Sequence, residues 1–420
     1  MNRFNALGLA IALFAVFSAH GQVTTPRKEP KTQAATQSQS DDGQVIPNQY
    51  IVVFKSGRIA PASARISLPR TRDRREKGRL MVEQARKIES EIDGYLADRG
   101  IADSRVTARY TAAFAGASLT LTPDQFTKLK TADWVESIEP DRVVKLPPHE
   151  VESVDGGGRA QLTPCAISNA GGPAPMVSQD RWIWIVDTGI DLDHPDLNVV
   201  TNTTYAKSFV GGTADDCDGH GTHVAGIAAA RNNSIGSVGI APGAPVVPVK
   251  VLGCTGTGSI TGILNGLNHV ATYDFAGDVV NLSLGNYYGS SCATASAYKT
   301  IITSLGIAGT RVAIAAGNSA DYAPYYEPGC INGANIYTVA SMTCNKTWSS
   351  FSNYGRAPID WIATGSSVYS TYRNGGYATM SGTSMAAPIV AGILQLRDGA
   401  PVSGENIVYK GASYPIARRQ

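Results

Sequence analysis

Five short runs in the second half of the chain are apolar at most positions rather than at alternate ones: residues 182–186, 246–251, 279–284, 312–316 and 336–340. A strand that is apolar on both faces must be covered on both faces. Helical candidates stand between these runs and after them, at residues 222–231, 262–272, 293–305 and 384–396. Strands that alternate with helices build a parallel sheet with helices on both sides, an α/β arrangement. Such sheets assemble their sites at the carboxyl edge of the strands.

The first half of the chain reads differently. Residues 60–110 carry dense Arg, Lys and Glu, whereas the stretch from Asp180 onward is poor in charge and rich in small residues. The shift predicts two domains in a chain whose 420 residues allow two or three. Residues 50–54 predict a strand. Met81, Ala85, Ile88, Ile92 and Leu96 recur at helical spacing, and Gly100 stops that helix. Strands follow at 106–110 and 117–121. Thr122, Pro123 and Gln125 then open a short helix through a capping box. A last strand spans 135–144, broken by Pro140, and Pro147-Pro148 ends the unit. The order is a small α+β sandwich, β-α-β-β-α-β. Residues 149–179 show no period and read as an exposed connection.

Residues 1–21 have the basic start, short apolar core and small-residue end of a signal peptide. Residues 22–47 are polar and read as a disordered linker. The expected domains are therefore a signal peptide at 1–21, a linker at 22–47, a small domain at 48–148 and an α/β domain at 149–420. No later run is long and apolar enough to span a membrane, so an exported, extracellular product is expected. A net charge of +2 leaves no footprint for nucleic acid. The six cysteines fit an oxidising compartment and permit three bridges in 15 connectivities.

Three segments carry chemistry. Asp187 ends a buried strand and is followed by Thr188-Gly189. His220 opens a helix of small residues within Asp218-Gly219-His220-Gly221-Thr222-His223. Ser384 sits in Gly382-Thr383-Ser384-Met385-Ala386-Ala387-Pro388 at the start of a helix, where free backbone N–H groups and the helix dipole favour an oxyanion. Taken singly, a turn Asp, a structural His and a capping Ser are each ordinary. In the order Asp, His, Ser on an α/β chain they match one known solution to triad geometry. A fourth segment, Ala315-Ala316-Gly317-Asn318, ends another buried strand with an amide able to donate to an oxyanion.

From about Trp182 to Leu396 these four segments resemble the subtilisin-like serine proteases (subtilases), and the Asp218–Gly226 segment with the Cys217–Cys254 spacing resembles the proteinase K branch. Residues 49–146 resemble the family's inhibitory propeptide. The resemblance implies a serine endopeptidase, made as a self-processing zymogen, with Asp187, His220 and Ser384 as triad. Asn318, the Ser384 N–H and Thr383 are implied for the oxyanion hole, with no catalytic cofactor. It further implies that Thr257-Gly258-Ser259 and Ser283-Leu284-Gly285 clamp a polypeptide substrate as an added strand, and that Ala315, Ala316 and Gly317 form one wall of a pocket with loose preference. The propeptide, a monomeric product and a Cys217–Cys254 disulfide are expected. Cys330–Cys344 is the second choice of bridge, leaving Cys165–Cys292.

A structural calcium ion is implied by residues 191–197 and 231–237. Asp196 would give its carboxylate and Asn233 its amide oxygen, with backbone carbonyls from Arg231, Ile235 and Ser237. Thr364 stands where the family usually has Pro, and the helices that often follow the Ser384 helix are expected to be shortened or absent. Two other functions fit the same fold: a silent binding protein, which loss of a triad residue would mark, and an esterase or transacylase on the same triad.

Overall fold

The amino-terminal domain folds as β1 (Val45–Phe54), α1 (Ala62–Arg65), α2 (Arg74–Ala97), β2 (Val106–Tyr110), β3 (Gly116–Thr120), α3 (Pro123–Lys130) and β4 (Val135–Lys145). The computed structural model describes residues 43–67, 72–156, 158–176, 178–289, 292 and 296–420. The expected signal peptide and most of the expected linker lie outside them. Asp73 starts α2 by accepting the N–H groups of Arg75 and Glu76. Met81, Ile88, Ile92 and Leu96 are its buried stripe. The capping box of Thr122 and Gln125 is present at α3. The four strands pair antiparallel in the order β4-β1-β3-β2. Pro140 does not break β4. It lies opposite Tyr50, and the register shifts beyond that pair, so the missing N–H is absorbed by an irregularity.

The second domain runs β5 (Glu150–Asp155), α4 (Cys165–Asn169), β6 (Ile183–Asp187), β7 (Asn198–Val199), β8 (Lys207–Ser208), α5 (His220–Ala229), β9 (Pro245–Lys250), β10 (Thr257–Ser259) and α6 (Ile260–Tyr273). It continues through β11 (Val279–Leu282), β12 (Asn286–Tyr287), α7 (Ala297–Ile307), β13 (Arg311–Ala315), β14 (Tyr326–Glu327), β15 (Ile336–Met342), β16 (Ile359–Thr364), β17 (Val368–Tyr372), β18 (Gly376–Ser381), α8 (Thr383–Leu396), β19 (Asn406–Tyr409) and β20 (Ala412–Pro415). Its main sheet is parallel, in the order β16-β15-β13-β11-β6-β9-β7, with β8 also on β9. Alternate residues of one strand enter different cores. Ile183 and Ile185 join α5 and α8 on one face. Trp184 and Val186 join α6 and α7 on the other, in a cluster that continues into the amino-terminal domain.

The described residues between 149 and 179 form more structure than their composition predicts. β5 pairs antiparallel with β18, and α4 docks over the loop after β15 through the Asn169 amide on the Cys344 carbonyl, 3.0 Å. After α8 the chain forms the β19–β20 hairpin, and Ile416 bridges to Ile362 of β16.

The cysteines pair Cys217–Cys254, as expected, but otherwise Cys165–Cys344 and Cys292–Cys330. The expected Cys330–Cys344 bridge fails for a physical reason. Cys344 is held against α4, whose Asn169 amide donates to its carbonyl, whereas Cys330 is held beside β14 and donates its N–H to the Tyr326 carbonyl, and each has another cysteine at a Cα distance of 5.7 Å. A bridge tolerates a Cα separation of about 7 Å at most. Non-reducing peptide mapping is expected to recover those three pairs, and a Cys330–Cys344 peptide would contradict this chain path.

Candidate active site

Asp187 ends β6, and α5 begins so close to it that only glycine fits at position 221. A Cβ there would run into the Gly189 carbonyl oxygen. That approach seats His220 on Asp187, with Nδ1 2.8 Å from Oδ1 and both side chains fully buried. The start of α5 is braced by a residue the sequence reading did not single out. Asp216 accepts the N–H of Gly219 at 2.9 Å and the N–H and hydroxyl of Thr222 at 2.9 and 2.6 Å. An acid four residues before the helical His is the signal that could have found it.

Ser384 is the second residue of α8. Pro388 lies deeper than the first turn, so it removes a real helical bond to the Ser384 carbonyl. The Ser283 hydroxyl donates to that carbonyl instead, at 2.8 Å. The Ser384 hydroxyl donates to the Ser283 carbonyl at 3.2 Å, and His220 Nε2 is buried without a partner. The two are therefore not hydrogen-bonded to each other in the precursor. Asn318 is oriented by Thr383, whose N–H and hydroxyl both donate to Asn318 Oδ1, at 2.8 and 2.6 Å. Thr383 therefore aims the Asn318 NH₂ group into the cleft rather than occupying the hole itself, which corrects the expectation.

The cleft is filled by the end of the amino-terminal domain. β4 pairs antiparallel with β10: Lys145 opposite Thr257, Val144 opposite Gly258, Val143 opposite Ser259. The Leu146 N–H then donates to the Gly256 carbonyl, 2.8 Å. Pro147 and Pro148 line a small cavity together with Leu284, Gly285, Ala315, Ala316, Gly317, Tyr326 and Glu327. Asn318 Nδ2 donates to the Pro148 carbonyl at 2.8 Å, and the His149 ring stands 5.1 Å from that of His220. The predicted triad, amide and substrate-strand residues thus meet at one place, around the Pro148–His149 bond.

Burial alone would lower the pKa of His220, but the charge and hydrogen bond of Asp187, with Asp218 and Asp216 behind, raise it above the ordinary 6.5. His149 is pushed down to about 4 by burial and by His220, and His223 to about 3, mainly by burial. Hydrogen bonds from His223 Nε2 to the Val368 and Ala378 carbonyls mark it as structural.

The expected calcium loop is assembled in part. Asp196 is fully buried. It accepts from the Asn233 amide at 2.7 Å, the Ser237 N–H at 3.4 Å and the Tyr377 hydroxyl at 3.3 Å. Arg231 turns its guanidinium to the Leu197 carbonyl. Ile235 donates its N–H to Asn233 Oδ1, 2.9 Å. Gln161, which sequence reasoning missed, reaches the loop from the connection, accepting the Asn233 N–H and donating to Asn232.

Comparison with known proteins agrees with this geometry. The subtilase family model matches residues 179–399, and the peptidase inhibitor I9 model matches residues 49–147. The alkaline serine exoprotease A of Vibrio alginolyticus is 31% identical over 91% of this chain and 66% of that protein. The extracellular serine proteinase of Thermus sp. (strain Rt41A) is 33% identical over 84% and 80%. Thermitase of Thermoactinomyces vulgaris is 39% identical over 56% and 84%. The chain belongs to the subtilase family, with the subtilisin-like fold and an inhibitor I9 propeptide. It is a serine-type endopeptidase. The matches do not single out the proteinase K branch.

A base must be neutral to accept a proton, so activity governed by His220 is lost as pH falls through its raised pKa. Replacing Asp218 by Asn removes one of the charges that raises it. The acidic limb of kcat/KM is expected to lie above pH 6.5 in the wild type and to move to lower pH in Asp218→Asn. A pH–rate series on both proteins checks this, and an unmoved limb would contradict it.

Proposed function

We propose that the precursor cuts its own Pro148–His149 bond and that residues 149–420 are then secreted as an endopeptidase acting on other polypeptides by the same route. The observation that carries this reading is the seat of the propeptide end. Its strand is hydrogen-bonded to β10 and its Pro148 carbonyl to Asn318 Nδ2, with His149 beside His220. That is how a substrate bound as an added strand lies.

On this reading His220 Nε2 takes the proton of the Ser384 hydroxyl as the oxygen bonds to the Pro148 carbonyl carbon. Asp187 holds the Nδ1–H and stabilises the imidazolium. Asn318 Nδ2 and the Ser384 N–H receive the oxyanion. The intermediate collapses to an acyl-enzyme as His220 returns the proton to the leaving amine of His149, and water then releases the acyl group. Cleavage leaves residues 48–148 bound as an intramolecular inhibitor become intermolecular. Secretion is supported by the leader-like residues 1–21, by the three disulfides, and by the lack of a membrane-spanning helix among the described residues.

The calcium reading is supported by the buried Asp196 carboxylate; Asn233 faces it with its NH₂ group and gives its Oδ1 to the Ile235 N–H, so the amide would have to turn over to offer its oxygen to the ion. The Ser234 and Gly236 carbonyls accept from Gln161 and Leu162, leaving those of Ile235 and Ser237 for the inner side. Asp196, Asn233 and the carbonyls of Arg231, Ile235 and Ser237 would hold the ion, with Gln161 from the connection as a further oxygen ligand. The ion would act on stability alone. At a hundredfold excess over Kd it would contribute about 2.7 kcal/mol.

Ser384→Ala is expected to leave the precursor uncut and to lower turnover roughly 10⁶-fold, the figure established for subtilisin, a member of the same family. Asn318→Ala is expected to cost about 10²–10³-fold, again by subtilisin's example. Gel analysis of the expressed precursors and a casein digest check both. A self-processing Ser384→Ala precursor would overturn the reading. Chelation with EGTA should shorten the thermal half-life of the wild type but not of Asp196→Ala; equal half-lives with and without chelator in the wild type would remove the calcium site.

A further inference from the structure

The propeptide touches the protease at a second place, at the other end of the sheet. Asp278 lies just before β11 and Trp182 just before β6, whereas Asp187 ends β6. Five residues of strand separate the two edges, about 16 Å. At this amino edge the fully buried Asp278 carboxylate receives Arg74, from the first turn of α2, as a bidentate pair of 2.6 and 2.8 Å. The same guanidinium donates to the carbonyls of Tyr273 at 3.0 Å and Asp180 at 2.6 Å. Its plane lies over Trp182, 4.0 Å from the ring centroid. One turn on, Lys77 pairs with Asp274 at 2.6 Å, and Arg72 adds a looser contact to Asp278, 3.3 Å.

Every acceptor in this socket belongs to the protease and every cation to the propeptide. Once the propeptide leaves, Asp278 keeps, among the described residues, the Trp184 indole N–H and the N–H groups of Trp182 and Phe275, at 3.1–3.2 Å. Arg181, the guanidinium nearest in sequence, is paired with Asp398. In the complex Asp278 is fully buried, where a carboxylate needs a counter-cation, so departure of Arg74 opens the carboxylate to water or to another cation. Two carbonyls, a carboxylate in the plane and an aromatic face above match the planar fork of arginine, not the point charge of lysine.

We propose that this socket is a guanidinium-binding exosite: it anchors the propeptide through Arg74, and in the mature enzyme it takes an arginine side chain presented by another polypeptide, substrate or inhibitor. The proposal rests on the reading that residues 48–148 depart after cleavage. In the precursor the anchor lengthens the life of the inhibited complex without entering the chemistry.

Two measurements test it, with processing scored separately by the appearance of residues 149–420 on a gel, so that failed processing and failed binding are distinguishable. Mature wild-type enzyme is titrated with Nα-acetylarginine amide at constant ionic strength, following tryptophan fluorescence, with Nα-acetyllysine amide as control. A saturable change is expected with half-saturation on the order of 1 mM, at least tenfold weaker for the lysine compound and for Asp278→Asn. Full-length Arg74→Gln is compared with wild type for the delay between cleavage and free activity. That delay is expected to shorten at least tenfold, with kcat and KM of the final enzyme unchanged. No saturable response in the mature wild type, or an equal response in Asp278→Asn, overturns the exosite. Should Asp278→Asn fail to fold, an unchanged delay in Arg74→Gln overturns it.

Discussion

The three-residue strand β10 is an edge, and an edge strand presents a row of backbone groups ready to pair with another strand. In the precursor that partner is β4 of the propeptide. This pairing fixes the register of everything downstream. With Lys145 opposite Thr257, the next residues run past Gly256 into the pocket walled by residues 315–317, and the Pro148 carbonyl reaches Asn318. On the proposed reading, one short ladder therefore decides which peptide bond meets Ser384. The same edge would later hold a substrate strand, which is why the inhibitor and the substrate compete for one place.

The propeptide adds polar contacts to that ladder at both ends of the sheet. Near the cleft, Glu139 accepts the Ala297 N–H at the start of α7, and Asp141 accepts the Thr261 N–H at the start of α6, at 2.7 and 3.1 Å. Both carboxylates sit where a helix leaves free N–H groups and a favourable dipole. Burial pushes Glu139 up to about 7, only partly countered by the Ala297 N–H. At the far end the signs reverse, and cations of the propeptide enter a socket of protease acceptors. The dense charge of residues 60–110 is thus partly interface and not merely a solvated helix surface.

Much of this was legible in the sequence. Runs such as 182–186 and 312–316 are apolar on both faces and could be nothing but central strands, and the capping box at Thr122 announced α3 residue by residue. The triad was readable because Asp187, His220 and Ser384 each sit at a strand end or helix start with glycines that permit close approach. What the sequence hid depends on distant partners. β5 is polar and mostly exposed, and becomes a strand only because β18 offers an edge. The cysteine pairs depended on α4 docking beside Cys344 and on β14 holding Cys330 near Cys292. Thr383 looked like an oxyanion donor, yet both its donors are taken by Asn318, a contact across 65 residues. Gln161 lacked any local signal, since its role follows from the bridge between the connection and the loop after α5.

The Pro148–His149 bond is, on the proposed reading, the one held for cleavage. That assignment is tested most directly by the amino-terminal sequence of the first product formed when the wild-type precursor is refolded and sampled at short times. A product beginning at His149 is expected, with an amino-terminal fragment ending at Pro148. A first product that begins elsewhere, with the 148–149 bond intact, would contradict it.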